Sequence, residues 1–204
     1  KTKDFDWTAT ANFSLNRGRV KSLPDQIVQI DGTNYGGIYP TAFLGGSSTG
    51  ITGKDYLRNE NGDVICDENG YPLIDTSKQL YIGNREPDFL LGLGSNFRYK
   101  ELTASFLFDG RCGGDVVNIT GSSLISNGQH HLYDKYRNRE VVFNGVVKNA
   151  DGTYSPNTTP IILDQTTVNK YFYPVSSNFI EDGSYIRLSY VTVGYDMSKL
   201  LSKN

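Results

Sequence analysis

The stretch FDWTATANFSLN, residues 5–16, decides the fold class of this chain. Every odd position in it is apolar and every even position is polar, from Phe5 to Asn16. Because successive side chains of a β-strand point to opposite faces, this alternation predicts a strand with one apolar face and one polar face.

Further along the chain, strands alternate with connections of two very different lengths. Strands are predicted over 5–16, 20–30, 87–99, 102–110 and 184–197. Short turns are expected at 16–19 and 100–101, and long loops at 31–86 and 110–183. Short turns at one end of a sheet and long loops at the other are typical of outer-membrane β-barrels. The sequence therefore predicts an all-β fold, an antiparallel transmembrane β-barrel.

The predicted strands are too few to close a barrel, and an open sheet edge is not tolerated in lipid. We therefore expect the chain to be an internal piece of a longer barrel.

Composition excludes several classes of protein. The 204 residues carry a formal net charge of −2, and the basic residues are scattered, so nucleic acid is not an expected partner. Glycine (22), tyrosine (14) and phenylalanine (10) are abundant, which favours turns and strands over helices. No apolar run of about 18 residues is present, so the sequence predicts no transmembrane helix.

The last predicted strand changes its alternation. Ile186 and Leu188 put apolar side chains on even positions, whereas Val191, Val193 and Tyr195 use odd positions. This shift predicts a β-bulge near residue 189 or 190. The alternative is that both faces of the strand are apolar at this point.

A short repeat lies inside the first long loop. ENGDVICD, residues 60–67, is followed at once by ENGYPLID, residues 68–75. Each copy joins an Asn-Gly pair to a short apolar stretch, which is a strong hairpin signal. The oxygen-rich side chains also raise the possibility of a calcium loop, but the ligand order of an EF-hand is not met. Two loop turns are the favoured interpretation.

Cysteine and histidine give weaker signals. Cys66 and Cys112 both fall on the long-loop side of the predicted sheet. The sequence is compatible with a disulfide between them and with two free thiols. His130 and His131 are adjacent but have no third ligand at metal spacing. The sequence predicts no metal site and no cofactor.

Four motifs carry a resemblance to a known family. NFIEDGSYIRLSYVTVGYD, residues 178–196, resembles a signature near the C-terminus of SusC/RagA-type TonB-dependent outer-membrane transporters. IGNREPDF, residues 82–89, is similar to that family's entry to a strand, and the segment 97–118 is similar to the hairpin that follows. Residues 5–16 match an earlier strand, so the motifs occur in the family's order along nearly the whole chain.

The resemblance implies both architecture and function. It implies a barrel of the 22-stranded class in the Gram-negative outer membrane, filled by a plug domain. It implies import of a nutrient, a glycan, oligosaccharide or peptide, with a SusD-like surface lipoprotein as lid and TonB as energy source. The plug domain, the TonB-binding region and the final strands are expected to lie outside this chain. No enzymatic activity is implied.

Roles for individual residues follow from the predicted topology. We expect Phe5, Trp7, Phe13 and Leu15 to face lipid. The polar positions between them are expected to face the lumen and the plug. The expected residues of the periplasmic turns are Arg17, Arg19, Lys100 and Glu101.

The long loops are expected to be extracellular and to contact the nutrient. Aromatic side chains in them are candidates for ligand binding because apolar sugar faces stack on rings. The candidates are Tyr35, Tyr39, Phe43, Tyr56, Tyr133 and Tyr136. The competing interpretation is that such rings hold the loops together as small cores.

Two other classes of protein compete with a transporter. A secreted carbohydrate-binding β-sandwich would also show short strands and loop tyrosines, but it does not predict such unequal connections. An enzyme would need a catalytic pair among carboxylates such as Asp109, Asp115, Glu181 and Asp182. No nucleophile, zinc or phosphate-binding motif accompanies them.

Overall fold

A computed structural model describes residues 4–24, 29–131 and 135–198 of the chain. The strands are β1 (Phe5–Ser14), β2 (Gln29–Asp31), β3 (Tyr39–Phe43), β4 (Gly50–Gly53), β5 (Ile65–Cys66), β6 (Leu80–Asn84), β7 (Phe89–Tyr99), β8 (Leu102–Cys112), β9 (Asp115–Val117), β10 (Glu140–Val142), β11 (Val146–Lys148), β12 (Tyr154–Pro156), β13 (Pro160–Ile162), β14 (Ile180–Asp182) and β15 (Tyr185–Tyr195). The helices that lie entirely within the described residues are α1 (Ile119–Ser126), α2 (Gln165–Tyr171) and a 3₁₀ helix (Ser176–Phe179). No helix among the described residues is both long enough and apolar enough to cross a membrane.

The four longest strands form one antiparallel sheet in the order β1-β7-β8-β15. β7 and β8 are joined by the two residues Lys100 and Glu101, as the sequence predicts. The connections before β7 and after β8 are long and leave the sheet at its other end, where Ser14 pairs with Leu90 and Tyr185 with Arg111. The predicted all-β, antiparallel fold is confirmed.

Register gives this sheet one apolar face across all four strands. Directly paired residues share a face, so the odd positions of β1 continue into the odd positions of β7 and the even positions of β8. We call this surface the apolar face; it consists of Phe5, Trp7, Ala9, Ala11 and Phe13, of Phe89, Leu91, Leu93, Ser95, Phe97 and Tyr99, of Leu102, Ala104, Phe106, Phe108, Gly110 and Cys112, and of Ile186, Leu188, Val191, Val193 and Tyr195. The opposite surface is the polar face.

The β-bulge predicted for the last strand is confirmed. Leu188 pairs with Phe108 and Tyr190 pairs with Leu107, so Ser189 is the extra residue. A bulge shifts the alternation by one residue, which keeps Val191 on the same face as Leu188. The apolar face therefore continues through β15 without interruption.

The beginning of the first long connection differs from the prediction. β1 pairs with β7 rather than with a strand directly after it, and Lys21–Pro24 has no strand structure. Of the predicted strand 20–30, the described residues show a bridge at Val20 and the first part of β2, while 25–28 lie outside the described residues. Pro24 lacks the N–H that a ladder requires, which explains why no strand continues through it.

This pairing also corrects the position of Arg17 and Arg19. Phe5 pairs with Tyr99 next to the Lys100–Glu101 turn, whereas Arg17 follows the opposite end of β1. Its guanidinium forms an ion pair with Asp88, 3.1 Å away, just before β7 begins. Lys100 and Glu101 occupy the short turn as predicted, but Arg17 and Arg19 belong to the long-loop end.

The chain divides into two compact units. The sheet unit contains β1, β7, β8 and β15. The loop unit consists of Gly18–Arg85 and Val116–Glu181, and therefore combines residues of both long connections. Its small sheets are β2-β3-β4-β6, β12-β11-β5 and β10-β13. The long loops thus fold with secondary structure of their own.

A small core holds the two connections of the loop unit together. Tyr56 and Val64 from the first connection pack with Val175 from the second, and all three are buried. Ile74 and Phe143 pack against them. Since burial of each large apolar side chain contributes roughly 1.5–3 kcal/mol, even this cluster favours an ordered arrangement of the loops.

Both copies of the tandem repeat form turns at their Asn-Gly pairs, as predicted. Gly62 and Gly70 have φ of +87° and +84°. Asn59 and Asp67 each accept backbone N–H groups two and four residues later, so these oxygens serve the turns themselves. The interpretation as two loop turns accounts for the acidic and amide side chains.

The two glycines of the repeat give a matched pair for mutation. A Cβ on Gly70 would lie 2.5 Å from the carbonyl oxygen of Thr159, whereas a Cβ on Gly62 meets nothing within 4 Å. We expect Gly62→Ala to cost about 1 kcal/mol for its positive φ, and Gly70→Ala about 2–4 kcal/mol because the clash is added. Hydrogen exchange of the peptides around each turn in the full-length protein measures the destabilisation by each substitution. Equal effects would contradict the predicted contact with Thr159.

Candidate functional site

The apolar face has the dimensions of a membrane-spanning surface. β1 contains 10 residues. At about 3.3 Å per residue it is roughly 33 Å long, and a tilt of about 40° reduces its rise to about 25 Å, the height of the apolar band of an outer-membrane barrel. Side chains of β15 on this face are strongly exposed: Ile186 is 85% exposed and Val193 is 70% exposed.

Aromatic side chains concentrate on the apolar face next to the short turn. Phe5, Tyr99 and Tyr195 lie in the last row of paired residues, and Trp7 stacks on Phe97 at 6.1 Å between centroids. Amphipathic rings at this height are typical of the interfacial girdle of a barrel. The polar atom of the tryptophan is also satisfied, because its indole Nε1 donates to Ser95 Oγ at 2.8 Å.

The four residues predicted to face lipid occupy one side of β1 and its extension. Phe5, Trp7 and Phe13 are on the apolar face by register, and Leu15 directly follows the strand. All four are exposed, Trp7 at 57% and Phe13 at 66%. Phe13 also stacks on Phe89 at 5.6 Å.

The polar face presents hydroxyl, amide and charged groups. Asp6 and Arg98 lie near the short turn, and Asp109 and Arg187 lie near the long-loop end. Arg187 Nη2 is 3.5 Å from Asp109 Oδ2, and Ser189 Oγ donates to the same carboxylate oxygen. This face can therefore form hydrogen bonds to a polar domain or a solute.

The predicted ligand-binding rings occupy different environments in the loop unit. Tyr35 is 51% exposed and Tyr56 is buried in the core. Tyr39 and Phe43 are half-buried on β3, and Phe43 packs edge-on against Tyr81 at 5.5 Å. Among the described residues, no ring contact joins two of the predicted set.

The last two candidates lie in the second connection. Tyr136 is half-buried, with Lys135 Nζ 5.2 Å above its ring. Tyr133 lies outside the described residues.

Two loop tyrosines contact each other in a way that the sequence does not predict. Tyr71 and Tyr171 stack at 4.4 Å between centroids with their planes 17° apart, and Lys170 Nζ lies 4.9 Å from the Tyr171 ring. The two rings come from different long connections, so no local pattern links them. The Asn69-Gly70 turn, which places Tyr71 at its exit, was the only local signal.

A polar network fastens the 3₁₀ helix of the second connection to the first. Asp55 accepts hydrogen bonds from Ser177 Oγ at 2.6 Å and from the Tyr56 backbone N–H at 2.8 Å, and Arg58 forms an ion pair with it at 3.1 Å. The Tyr56 hydroxyl accepts from Asn178 Nδ2 at 2.8 Å. Asp55 and Tyr56 of the first connection thus form hydrogen bonds with Ser177 and Asn178 of the second.

Burial and hydrogen bonding act in opposite directions on this network. Burial works to raise the pKa of Asp55, but the bonds from Arg58, Ser177 and the Tyr56 N–H outweigh it and hold that pKa below its ordinary value. Burial raises the pKa of Tyr56 to about 12, so its hydroxyl stays protonated.

The lowered pKa of Asp55 predicts an acid-sensitive contact between the two connections. Since its folded-state pKa lies below the unfolded value, its stabilisation is complete above the ordinary carboxyl pKa and is lost as the pH falls through the folded value. We expect the 3₁₀ helix to exchange its amides faster at pH 3 than at pH 6 after correction for intrinsic rates. The Asp55→Asn variant should lose part of that pH dependence; an unchanged dependence would contradict the assignment.

Both cysteines are free thiols. Cys66 is buried in the loop unit, and burial raises the pKa of its thiol, which makes it unreactive. Cys112 ends β8. Of the two readings left open by the sequence, the structure shows two unpaired thiols. No group of three metal-binding side chains occurs within the described ranges.

Known proteins resemble this chain along nearly its whole length. No protein-family model matches the chain. TonB-dependent receptor P3 of Formosa agariphila is 26% identical over 217 residues, covering 96% of this chain and 20% of the receptor. TonB-dependent receptor P26 of the same organism is 26% identical over 216 residues, covering 97% of this chain and 21% of the receptor.

The chain thus spans about one fifth of the length of these relatives. Both relatives are receptors by name. The matches run along nearly the whole chain. The chain is thus similar to a segment of two TonB-dependent receptors, and its antiparallel sheet has the apolar face and the polar face that the wall of an outer-membrane β-barrel requires.

Proposed function

We propose that the protein containing this chain imports a nutrient across the outer membrane with energy delivered through TonB. The observation that supports this most strongly is the continuous apolar face on one side of the four-stranded sheet and the polar face on the other. A barrel wall in lipid requires this division, because only its lumen side can meet water or a polar domain.

We further propose that the protein is of the SusC/RagA type and works with a SusD-like surface lipoprotein. The motifs at 82–89 and 178–196 support this assignment. In the proposed orientation, the Lys100–Glu101 turn is periplasmic and the loop unit is extracellular. The loop unit is then available to the lipoprotein and to the nutrient, a glycan, oligosaccharide or peptide, and the exposed Tyr35 is its most accessible predicted ring.

The same sheet disfavours the alternative of a secreted carbohydrate-binding β-sandwich. A sandwich covers the apolar face of one sheet with a second sheet. Within the described residues, Ile186, Val191 and Val193 are at least 60% exposed, so no second sheet covers these side chains of β15. In lipid, the same exposure is favourable.

Cell fractionation of the full-length protein tests the proposal. We expect it in the outer-membrane fraction, as a band that migrates differently with and without heating, together with a lipoprotein partner. We also expect uptake of its nutrient to stop when TonB is deleted. A soluble product that binds glycans without detergent would contradict the proposal.

A further inference from the structure

The β-bulge does more than preserve the apolar face. Arg187 and Tyr190 lie on the polar face by register, and the Ser189 side chain reaches Asp109 on that same face. The bulge therefore brings the side chains of Arg187 and Ser189 together beside Asp109. Bulges are frequent beside functional sites, where they redirect a side chain.

These side chains form a compact cluster with Asp109 of β8. Ser189 donates to the carboxylate, and Arg187 lies within 3.5 Å of it. The guanidinium carbon of Arg187 also lies 5.6 Å from the centroid of the Tyr185 ring. Arg187 keeps a side-chain exposure of 64%, so its remaining N–H groups are accessible on the surface.

A glycine leaves a trough beside the cluster. Gly92 stands in register between Asn12 and Asp109 and has no side chain to fill that position. A Cβ built on it would lie 3.6 Å from Asn12 Cβ and 3.8 Å from Asp109 Oδ1, which is ordinary contact. The resulting trough has a volume of about 350 Å³, and Asn12, Asp109, Tyr185 and Arg187 line it.

We propose that this trough is a binding site for a neutral, polyhydroxylated solute such as an oligosaccharide. The inference rests on the proposed import function and adds a contact site in the barrel wall, separate from the loop rings. The charges of Asp109 and Arg187 cancel, so the trough does not select an anion or a cation. The Asn12 amide, the guanidinium and the carboxylate offer donors and acceptors to hydroxyl groups, and the Tyr185 ring offers a surface for stacking.

The position of the trough fits a solute that enters from the long-loop end. The row of paired residues Asn12, Gly92, Asp109 and Arg187 is one step on the same face from the row of Ser14, Leu90, Arg111 and Tyr185, which ends the sheet there. A competing occupant is the plug domain of the same receptor. Washing distinguishes the two occupants. A solute is removed from the trough by washing, whereas the plug domain is part of the receptor and stays.

The test measures binding of neutral oligosaccharides to the full-length receptor. The probes are malto-, xylo-, manno- and galacto-oligosaccharides, with alginate oligomers and peptides of similar length as charged and non-saccharide comparisons. We expect at least one neutral probe to bind and Arg187→Gln to weaken it about tenfold or more, because a hydrogen bond from a charged donor is lost. Arg187→Lys should restore part of the affinity.

Arg98→Gln is the matched control. Arg98 has the same charge and lies on the same face, but near the short turn, where its Nε donates to the Lys100 carbonyl. We expect this variant to bind like the wild type. Binding of none of the neutral probes, or equal binding by Arg187→Gln and Arg98→Gln, would overturn the proposed site.

Deletion of Ser189 gives a second, independent variant. In the wild type, Leu188 pairs with Phe108 and Tyr190 pairs with Leu107. Deletion of Ser189 makes Leu188 and Tyr190 adjacent, so the ladder becomes regular and every other residue of β15 stays on its present face. We expect the variant to reach the outer membrane and to show reduced affinity for the neutral probe. Unchanged affinity would contradict a role for the bulge in the site.

Failure of this inference is distinguishable from failure of the proposed function. TonB-dependent uptake that is identical in wild type, Arg187→Gln and Arg98→Gln leaves the transporter proposal intact and rejects the trough. If the plug domain occupies the trough instead, Arg187→Gln should lower the unfolding temperature of the receptor and leave its affinity for the neutral probe unchanged. Absence of the wild-type protein from the outer membrane would reject both.

Discussion

Replacing Val191 by arginine should prevent stable assembly of the full-length receptor in membranes. Val191 pairs with Phe106 near the middle of the apolar face and is 60% exposed there. An arginine that faces lipid at the midplane costs about 2–4 kcal/mol in an outer-membrane barrel. We expect less compact, heat-modifiable protein in the outer membrane and a lower temperature for its conversion to the unfolded band.

Thr192→Arg is the matched control for this experiment. Thr192 is the next residue of β15, pairs with Ser105 and lies on the polar face. The same arginine is then directed toward the lumen, where polar groups are tolerated, so its effect should be much smaller. Equal effects of the two substitutions would contradict the assignment of the faces, and a larger effect at Thr192 would reverse it.

Removing the Tyr56 ring should open the loop unit. Tyr56 is 6% exposed and packs with Val64, Val175 and Phe143. Truncation of a buried aromatic residue to alanine typically costs about 3–5 kcal/mol, because the lost contacts leave a cavity. We expect fast hydrogen exchange throughout the loop unit of Tyr56→Ala, with slow exchange retained in β7 and β8.

Two further tyrosine variants separate packing from hydrogen bonding. Tyr56→Phe keeps the ring but loses the bond from Asn178, and should cost about 1 kcal/mol. Tyr35→Ala removes a ring that is 51% exposed and should leave exchange unchanged. If Tyr56→Ala altered nutrient binding without altering exchange, Tyr56 would be a ligand contact rather than a core residue.

Sequence alone was sufficient for the long strands and for the bulge. The alternation in 5–16 sets the two faces of β1, and the parity shift between Leu188 and Val191 predicts a bulge at residue 189 or 190. Both are properties of neighbouring residues, because side-chain direction in a strand has a period of two. The register of β15 with β8 then identifies Ser189 as the extra residue. The Asn-Gly turns of the tandem repeat were also predictable locally, because glycine readily adopts the positive φ that such turns require.

The sequence was insufficient where a local turn signal suggested one strand partner and a distant strand is the actual partner. The Asn-Arg-Gly-Arg segment at 16–19 has the composition of a turn, yet β1 pairs with β7 rather than with a strand after that turn. Turn composition reports local backbone preference and contains no information about which strand supplies the ladder. That choice depends on the combined pairing of β1, β7, β8 and β15.

The sequence by itself determined the fold class of this protein, the apolar face of β1 and the receptor family that its motifs resemble. Each of these is encoded by residues close together in the chain, through strand periodicity and motif order. Tertiary structure alone decided that the long connections fold into one unit around Tyr56, that Tyr71 meets Tyr171, and that Asn12, Asp109 and Arg187 surround one trough. These contacts join residues far apart in sequence, and only strand register and packing bring them together.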